Sequence, residues 1–359
     1  MGASCECAAL DTNLANVGID QSNLPIFNQD WWTKIARGSS HYRELRVLDG
    51  DLIVGRLPYI LSRYQIDLQA HDPHWSHLGG PVVDERLSRN EQSEVLHLLV
   101  EQLPRWASAH FVCNPKASYA DLVRTAFTSR GFEYKTQITY IRHPTDGDVM
   151  GTRKSKHNGH IKRAGRKLDC AEITAMEFVR FYEMNLRARQ KKSYAPLDVV
   201  ARLIEEAVTR GQACVIAAKP NHTQNGHNGS SALYDAAIVY VWDRARCYYW
   251  MSTHRSPSAD SHPIPHPDAT KLLAMKAMEH AQAMELTFDA DGVTTPGSQH
   301  LYCNIFGLRH EEGRDVFLRA AALERFRQKC EPLIKAFTAK GSTLDGSRFV
   351  SCSAVTSCV

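Results

Sequence analysis

Two distant stretches of this chain spell out the same order of elements, and that order constrains the fold more than any other feature. In the first, HFVCNP reads as a strand leading to a helix, a break at Phe127…Gly131-Phe132, and the strand YKTQITYIR. In the second, LTFDAD leads to a helix, then Ile305-Phe306-Gly307, then the strand DVFLRA. A solenoid repeats every ~20–50 residues, whereas single domains mostly span about 100–150. In a chain of 359 residues the repeated order therefore predicts two copies of one α/β unit.

The intervening sequence supports that reading. Phe27, Trp31, Trp32 and Ile35 share one face of a short helix in FNQDWWTKIARG. Two extended runs, Tyr42 to Leu48 and Leu52 to Leu61, flank an Asp49-Gly50 hairpin turn. Residues 71–84 read as a loop. A basic helix from Arg153 to Lys167 precedes two amphipathic helices, and three strands follow: ACVIAAK, ALYDAAIVYVWD and RCYYWMSTH. The expected organisation is a polar tail over 1–22, a domain over 23–145, a basic linker helix over 146–170, a second domain over 171–340 and a tail over 341–359.

Composition narrows the function classes. At 43% hydrophobic and 23% charged the chain is globular, and its net charge of +4 is too balanced for a dedicated duplex-DNA binder. No run of about 18 apolar residues predicts a membrane span. The opening MGASCECAAL lacks the charged and apolar regions of a secretory signal, and Glu6 stands where a myristoylation signal wants Ser or Thr. The ten cysteines are mostly single and form no CxxC pair. They read as buried thiols of a cytoplasmic protein.

Four passages, taken in order, resemble the tandem acyltransferases of the GNAT superfamily, in the FemABX-like and BioF2-like group. They are FNQDWWTKIARG, RKSKHNGHIKRAGRKL, PIPHPDATKLLAMKAMEHAQAMELTFDADG and TFDADGVTTPGSQHLYCNIFGLRHE, and the resemblance as a whole covers about residues 24–325. The resemblance implies an α/β (α+β) fold of two packed GNAT-like domains. Each is a mixed, mostly antiparallel sheet flanked by helices, with acyl transfer in the cleft of the second. It also implies an acyl-CoA or an aminoacyl-tRNA as co-substrate, with no tightly bound cofactor. Two departures stand out. The Q/R-x-x-G-x-G/A loop that cradles the CoA pyrophosphate is missing, and Asn304-Ile305 replaces the Lys or Arg that often precedes the Phe-Gly pair.

Acyl transfer to an amine needs a base for the ammonium proton, donors for the oxyanion and a proton for the leaving group. Asp289 and Asp291, at the end of LTFDAD, are the candidate bases, with His254 as an alternative. Tyr302 is the candidate proton donor. In CYYWMSTH, alternation puts Tyr249 and Met251 on one face and Tyr248, Trp250 and Ser252 on the other. Tyr249, Trp250, Met251 and Ser252 are candidate substrate contacts along a strand edge, joined by Arg189 and Lys191. Arg153, Lys162, Arg163, Arg166 and Lys167 crowd one helix and are candidate phosphate ligands for CoA, a tRNA or a nucleotide-linked acceptor. His71, His74 and His77 sit three apart in a loop, which imposes no common face, so no metal site is expected. No cysteine is paired by sequence with a histidine, so direct attack without a covalent intermediate is expected. The acceptor is a small-molecule or peptide amine. Three functions follow: transfer from acyl-CoA or a carrier thioester, aminoacyl-tRNA-dependent amide formation, or a catalytically silent binding module.

Overall fold

In a computed structural model the described residues are 4–7, 16–37, 41–64, 67–149, 155–193, 196–221, 234–256, 264–292 and 300–321. The first half runs β1 (Ser4–Cys7), β2 (Asn16–Val17), α1 (Asp30–Ala36), β3 (Tyr42–Asp49), β4 (Leu52–Tyr64) and β5 (Asp67–His71). It continues with β6 (Val82–Val83), α2 (Arg89–Glu101), β7 (Ser108–Cys113), α3 (Ala120–Ser129) and β8 (Glu133–Arg142). The second half runs α4 (Ser155–Lys167), β9 (Leu168–Glu172), α5 (Ala175–Ala188), α6 (Leu197–Thr209), β10 (Ala213–Pro220) and β11 (Ala236–Trp242). It ends with β12 (Arg246–His254), α7 (Ala269–Ala283), β13 (Thr287–Asp289), a π-helical turn over His300–Ile305 and β14 (Arg309–Arg319).

Local chemistry explains the boundaries. Gly50 supplies the positive φ of the β3–β4 turn (+59°). Reciprocal capping boxes start α2 (Ser88 with Glu91) and α5 (Thr174 with Glu177), each satisfying two otherwise orphaned N–H groups. Among the described residues fourteen strands join one mixed sheet, ordered β1-β3-β4-β5-β7-β14-β8-β13-β12-β11-β10-β9, with β2 and β6 beside β4. Each half contains a short parallel pair: β5 with β7, and β12 with β13.

The halves are not merely placed in series. β14, the last described strand, returns to lie antiparallel between β7 and β8, and β8 in turn borders β13. The second half thus completes the sheet of the first, and the first edges the sheet of the second. The N-terminal aromatic segment crosses over too. Phe27 and Trp32 are fully buried in the core built from α5, α6 and β10–β12, with Trp32 against Trp250 at 4.9 Å. The stretch HTQNGHNGSS after Asn221, nearly all of the Pro-rich stretch SPSADSHP and everything beyond residue 321 lie outside the described residues. No described helix is long and apolar enough to cross a membrane.

One consequence of this packing is a pH dependence. His71 and His74, at the end of β5, stand 5.2 Å apart by ring centroid, and His110 of β7 is opposite His71 in the parallel register. Burial lowers the pKa of all three, with mutual repulsion adding to it at His74 and His110; His74 falls to about 4. A depressed histidine contributes stability that is full above its ordinary value of 6.5 and is lost as pH falls through the folded value. Asp72, raised to about 7, works in the opposite sense. The comparison is therefore differential. Relative to His74→Gln, the wild-type protein is expected to lose on the order of 1 kcal/mol, after allowing for solvent screening, between pH 7 and pH 4. Paired urea melts measure it, and a constant difference across that range would refute it.

Candidate active site

The parallel pair β12–β13 is held together only at Arg246–Tyr248 against Thr287–Asp289. Beyond Tyr248 the two strands part, so β12 from Tyr249 onward has no strand neighbour on that side among the described residues. Into this gap reaches the loop that follows β5 in the first half. The Trp75 carbonyl accepts the indole N–H of Trp250 (2.8 Å), and the His77 ring faces the Trp250 backbone closely enough to feel it electrostatically. A cleft of about 260 Å³ remains, lined by Trp75, Ser76, His77, Tyr182, Trp250, Met251 and Ser252.

At the mouth of the parted strands lies a chain of alternating charges. His77 Nδ1 is 3.4 Å from Asp291 Oδ2, and Asp291 Oδ1 is 3.1 Å from Arg314 Nη2. Arg314 Nη1 lies 3.3 Å and Arg246 Nη1 3.0 Å from Asp289 Oδ2, and Arg246 reaches Glu311 at 2.5 Å. Lys116, at 3.5 Å from Glu311, ends the series near solvent. A β-bulge makes the arrangement possible. β14 shifts register between Glu312 and Arg314, and a Cβ on Gly313 would lie 2.0 Å from Thr139 Oγ1, so only glycine lets the strand turn Arg314 into this row.

The two candidate aspartates occupy different environments. Asp289 is fully buried, clamped by Arg246 and Arg314, and its Oδ1 accepts the Asp291 N–H. Its geometry is that of a fixed anion. Asp291 takes a left-handed conformation (φ +64°) that turns its carboxylate outward, leaving the side chain 38% exposed. Burial acts to raise its pKa, but His77 and Arg314 outweigh burial and hold the carboxyl below its ordinary value. Burial lowers the His77 pKa, more than Asp291 restores. At neutral pH this pair is therefore an imidazole beside a carboxylate, with Phe27 stacked on the imidazole at 5.2 Å.

Tyr302 lies on the π-helical turn, half-buried, its ring 6.3 Å from Tyr249 and 6.4 Å from Phe306. Burial first, then Tyr249 and Asp291, push its pKa up, so it keeps its proton. Burial pushes Tyr249 up to about 12. His254 sits elsewhere: exposed at the far end of β12, six residues or about 20 Å of strand beyond Tyr248. There Arg189 donates to the His254 carbonyl (2.6 Å) and to Ser256 Oγ (3.1 Å), and Lys191 is exposed on the adjoining turn.

Three further placements differ from, or add to, the sequence reading. Strict alternation fails in β12, where Val239 pairs with Met251 and Tyr240 with Tyr249. The extra residue, Trp250, is a bulge, which puts Trp250 and Met251 in the same core and Ser252 at the surface. A cysteine does meet a histidine: the Phe306-Gly307 break folds His310 back to 3.2 Å from Cys303 Sγ, although burial pushes that thiol up rather than activating it. On α4, Lys162, Arg163, Arg166 and Lys167 are exposed while Ile161 and Ala164, with Leu168 at the start of β9, pack in the core shared with α7. The charges of Arg163 and Lys167 reach His266 at the start of α7; Arg153 lies outside the described residues. Among the described residues no His, Cys, Asp or Glu group is arranged to hold a metal.

This topology joins two sheet units edge to edge and leaves one parted parallel pair open to a cleft, and as a fold it is similar to that of FemX. No family model and no curated protein matches the sequence. Among solved structures the chain is similar to FemX, with a TM-score of 0.56 and 11% identity over 85% of this chain and 94% of that one. It overlaps more loosely with the C-terminal domain of a putative lysylphosphatidylglycerol synthetase from Agrobacterium fabrum (TM-score 0.48, 13% identity, 77% and 85% covered). A tandem GNAT protein from the clavulanic acid biosynthesis pathway overlaps at TM-score 0.43 and 12% identity, with 78% and 83% covered. At such identities the likeness concerns fold alone.

Proposed function

We propose that this protein is an acyltransferase that joins an activated acyl group to an amine in the cleft beside β12. The observation that carries this reading is the His77–Asp291 pair set at the point where β12 and β13 part. The reaction is direct. The acceptor ammonium gives a proton to Asp291, the exposed member of the pair, and His77 Nδ1, turned toward that carboxylate, shares the proton. The freed amine attacks the acyl carbon, the carbon–sulfur or carbon–oxygen bond to the donor breaks, and Tyr302 gives its proton to the leaving atom while taking up the second proton that the nitrogen sheds as the amide forms. Asp289, Arg246 and Arg314 hold Asp291 in place. The free edge of β12 pairs with an extended arm of the donor or with a peptide acceptor. The donor is an acyl-CoA or carrier thioester, or else an aminoacyl-tRNA. In either case the exposed cations of α4 are the groups offered for its phosphates, and the cytoplasm supplies both.

Incubation with radiolabelled acyl-CoA or aminoacyl-tRNA, with and without ribonuclease, tests the reading. Transfer that survives ribonuclease and tracks release of free CoA identifies the thioester donor; transfer abolished by ribonuclease identifies tRNA. No transfer from either donor class to any amine would leave a binding module instead.

A further inference from the structure

His77 is delivered to the second half by a loop of the first, and that loop is closed by one side chain. Asp72 is buried. Its Oδ1 accepts the Gly80 N–H (2.9 Å) and its Oδ2 the Val112 N–H of β7 (2.7 Å), while the Gly79 N–H donates to the Val112 carbonyl (2.7 Å). The ends of residues 72–80 are therefore stapled to each other and to β7. The closure leaves no room: a Cβ on Gly79 would lie 2.0 Å from Asp72 Oδ1, and one on Gly80 (φ +76°) would lie 2.2 Å from Cys113 Sγ. At the tip Trp75 is held at φ +68°, a strained value for a bulky residue, with its carbonyl on the Trp250 indole.

We propose that Asp72 is the positioning residue of the transfer site. By closing the 72–80 loop into a rigid wedge, it fixes His77 against Asp291 and Trp250 across the seam between the halves. The role of the wedge in transfer rests on the function proposed above; the staple itself does not. Burial pushes the Asp72 carboxyl up to about 7 against the pull of its two N–H donors. Protonation turns one acceptor oxygen into a hydroxyl and weakens that arm. The titratable groups packed about Asp72 are His71, whose Nδ1 contacts the Asp72 carbonyl, His74 of its own loop, Cys113 of β7 and, beyond that thiol, Asp315 of β14. None of these is a cation paired with it.

The test reads the wedge rather than activity. Diethyl pyrocarbonate labelling of His77, scored by peptide mass spectrometry against exposed His254 as internal standard, is followed from pH 6 to 8.5 in the full chain. In the wild-type protein His77 is expected to label at least tenfold more slowly than His254 at pH 8, with the ratio rising as pH falls through about 7. In Asp72→Asn the ratio is expected to be raised several-fold and flat with pH. Gly80→Ala, which opens the same closure by a different route, is expected to raise it as well and decides the matter if Asp72→Asn does not fold. Wild-type labelling and a wild-type pH course in Asp72→Asn, or in Gly80→Ala where that variant decides, overturn the proposal. A chain with no transferase activity can still show the expected labelling. Transfer activity with an indifferent Asp72 would sink the staple alone.

Discussion

Asp291→Asn is expected to lower kcat/KM for acyl transfer about 10²- to 10⁴-fold, the range for removing a positioned general base. The amide keeps the size of the side chain and can still accept from Arg314, so the loss reports proton acceptance rather than shape. His77→Gln is expected to fall in the same range, because it removes the imidazole that faces Asp291 Oδ2 at 3.4 Å. The double variant should be little worse than either single one, since groups that act as a unit are strongly non-additive. The pH course follows from the directions of the two shifts. Both groups titrate below their ordinary values, Asp291 because His77 and Arg314 outweigh burial, His77 because of burial. Wild-type kcat/KM should therefore stay flat through neutrality and fall only on the acid side, below 6.5, the ordinary histidine value. Initial rates across pH 5–8.5 measure this. Single variants that retain wild-type rates would assign the chemistry to other residues.

The tandem architecture was legible because it is written in local order: strand, helix, aromatic-glycine break and strand recur, and each is set by nearby residues. Asp289 and Asp291 were legible as a pair for the same reason. Their difference was not, because it depends on partners far along the chain. Arg246 is 43 residues before Asp289, and Arg314 arrives on a strand whose position between β7 and β8 no local pattern encodes. His77 was read only as one of three evenly spaced loop histidines. What sets it apart from His71 and His74 is the loop closure by Asp72 and the parted strand it meets, both long-range facts. Period-2 alternation likewise misplaced Met251, since a bulge at Trp250 leaves no signature in the hydrophobic pattern. The only sequence signals that could have pointed to the seam were Gly79-Gly80, beside an acidic residue in a loop otherwise rich in bulky side chains, and Gly313 inside a strand.

Arg314→Met is expected to destabilise the fold by about 3–5 kcal/mol, the range for removing one partner from a buried ionic network. Arg314 is 2% exposed and is shared between Asp289, which is wholly buried, and Asp291. Methionine fills comparable volume, so the loss reflects anions left without a counter-charge rather than a cavity. Arg246 still reaches Asp289 at 3.0 Å, and the residual cost therefore centres on Asp291. Two controls sharpen the expectation. Arg314→Met with Asp291→Asn should recover part of the loss, because one orphaned charge goes with it. Arg124→Met removes a partner of Asp315 from the same strand, but its own side chain is 39% exposed; it should cost about 1 kcal/mol or less if surface screening governs it. The acid limb adds a second reading. Asp291 contributes stability above the ordinary carboxylate value of 3.8, and that contribution is lost as pH falls through its lowered folded value. Without Arg314 that folded value rises, and the loss should begin at higher pH. Urea melts of the three variants at pH 7 and pH 4.5 decide it. A cost for Arg314→Met no greater than for Arg124→Met would mean that the returning strand is held by its backbone ladder and by Phe317 in the core, with the charge row serving only to aim Asp291.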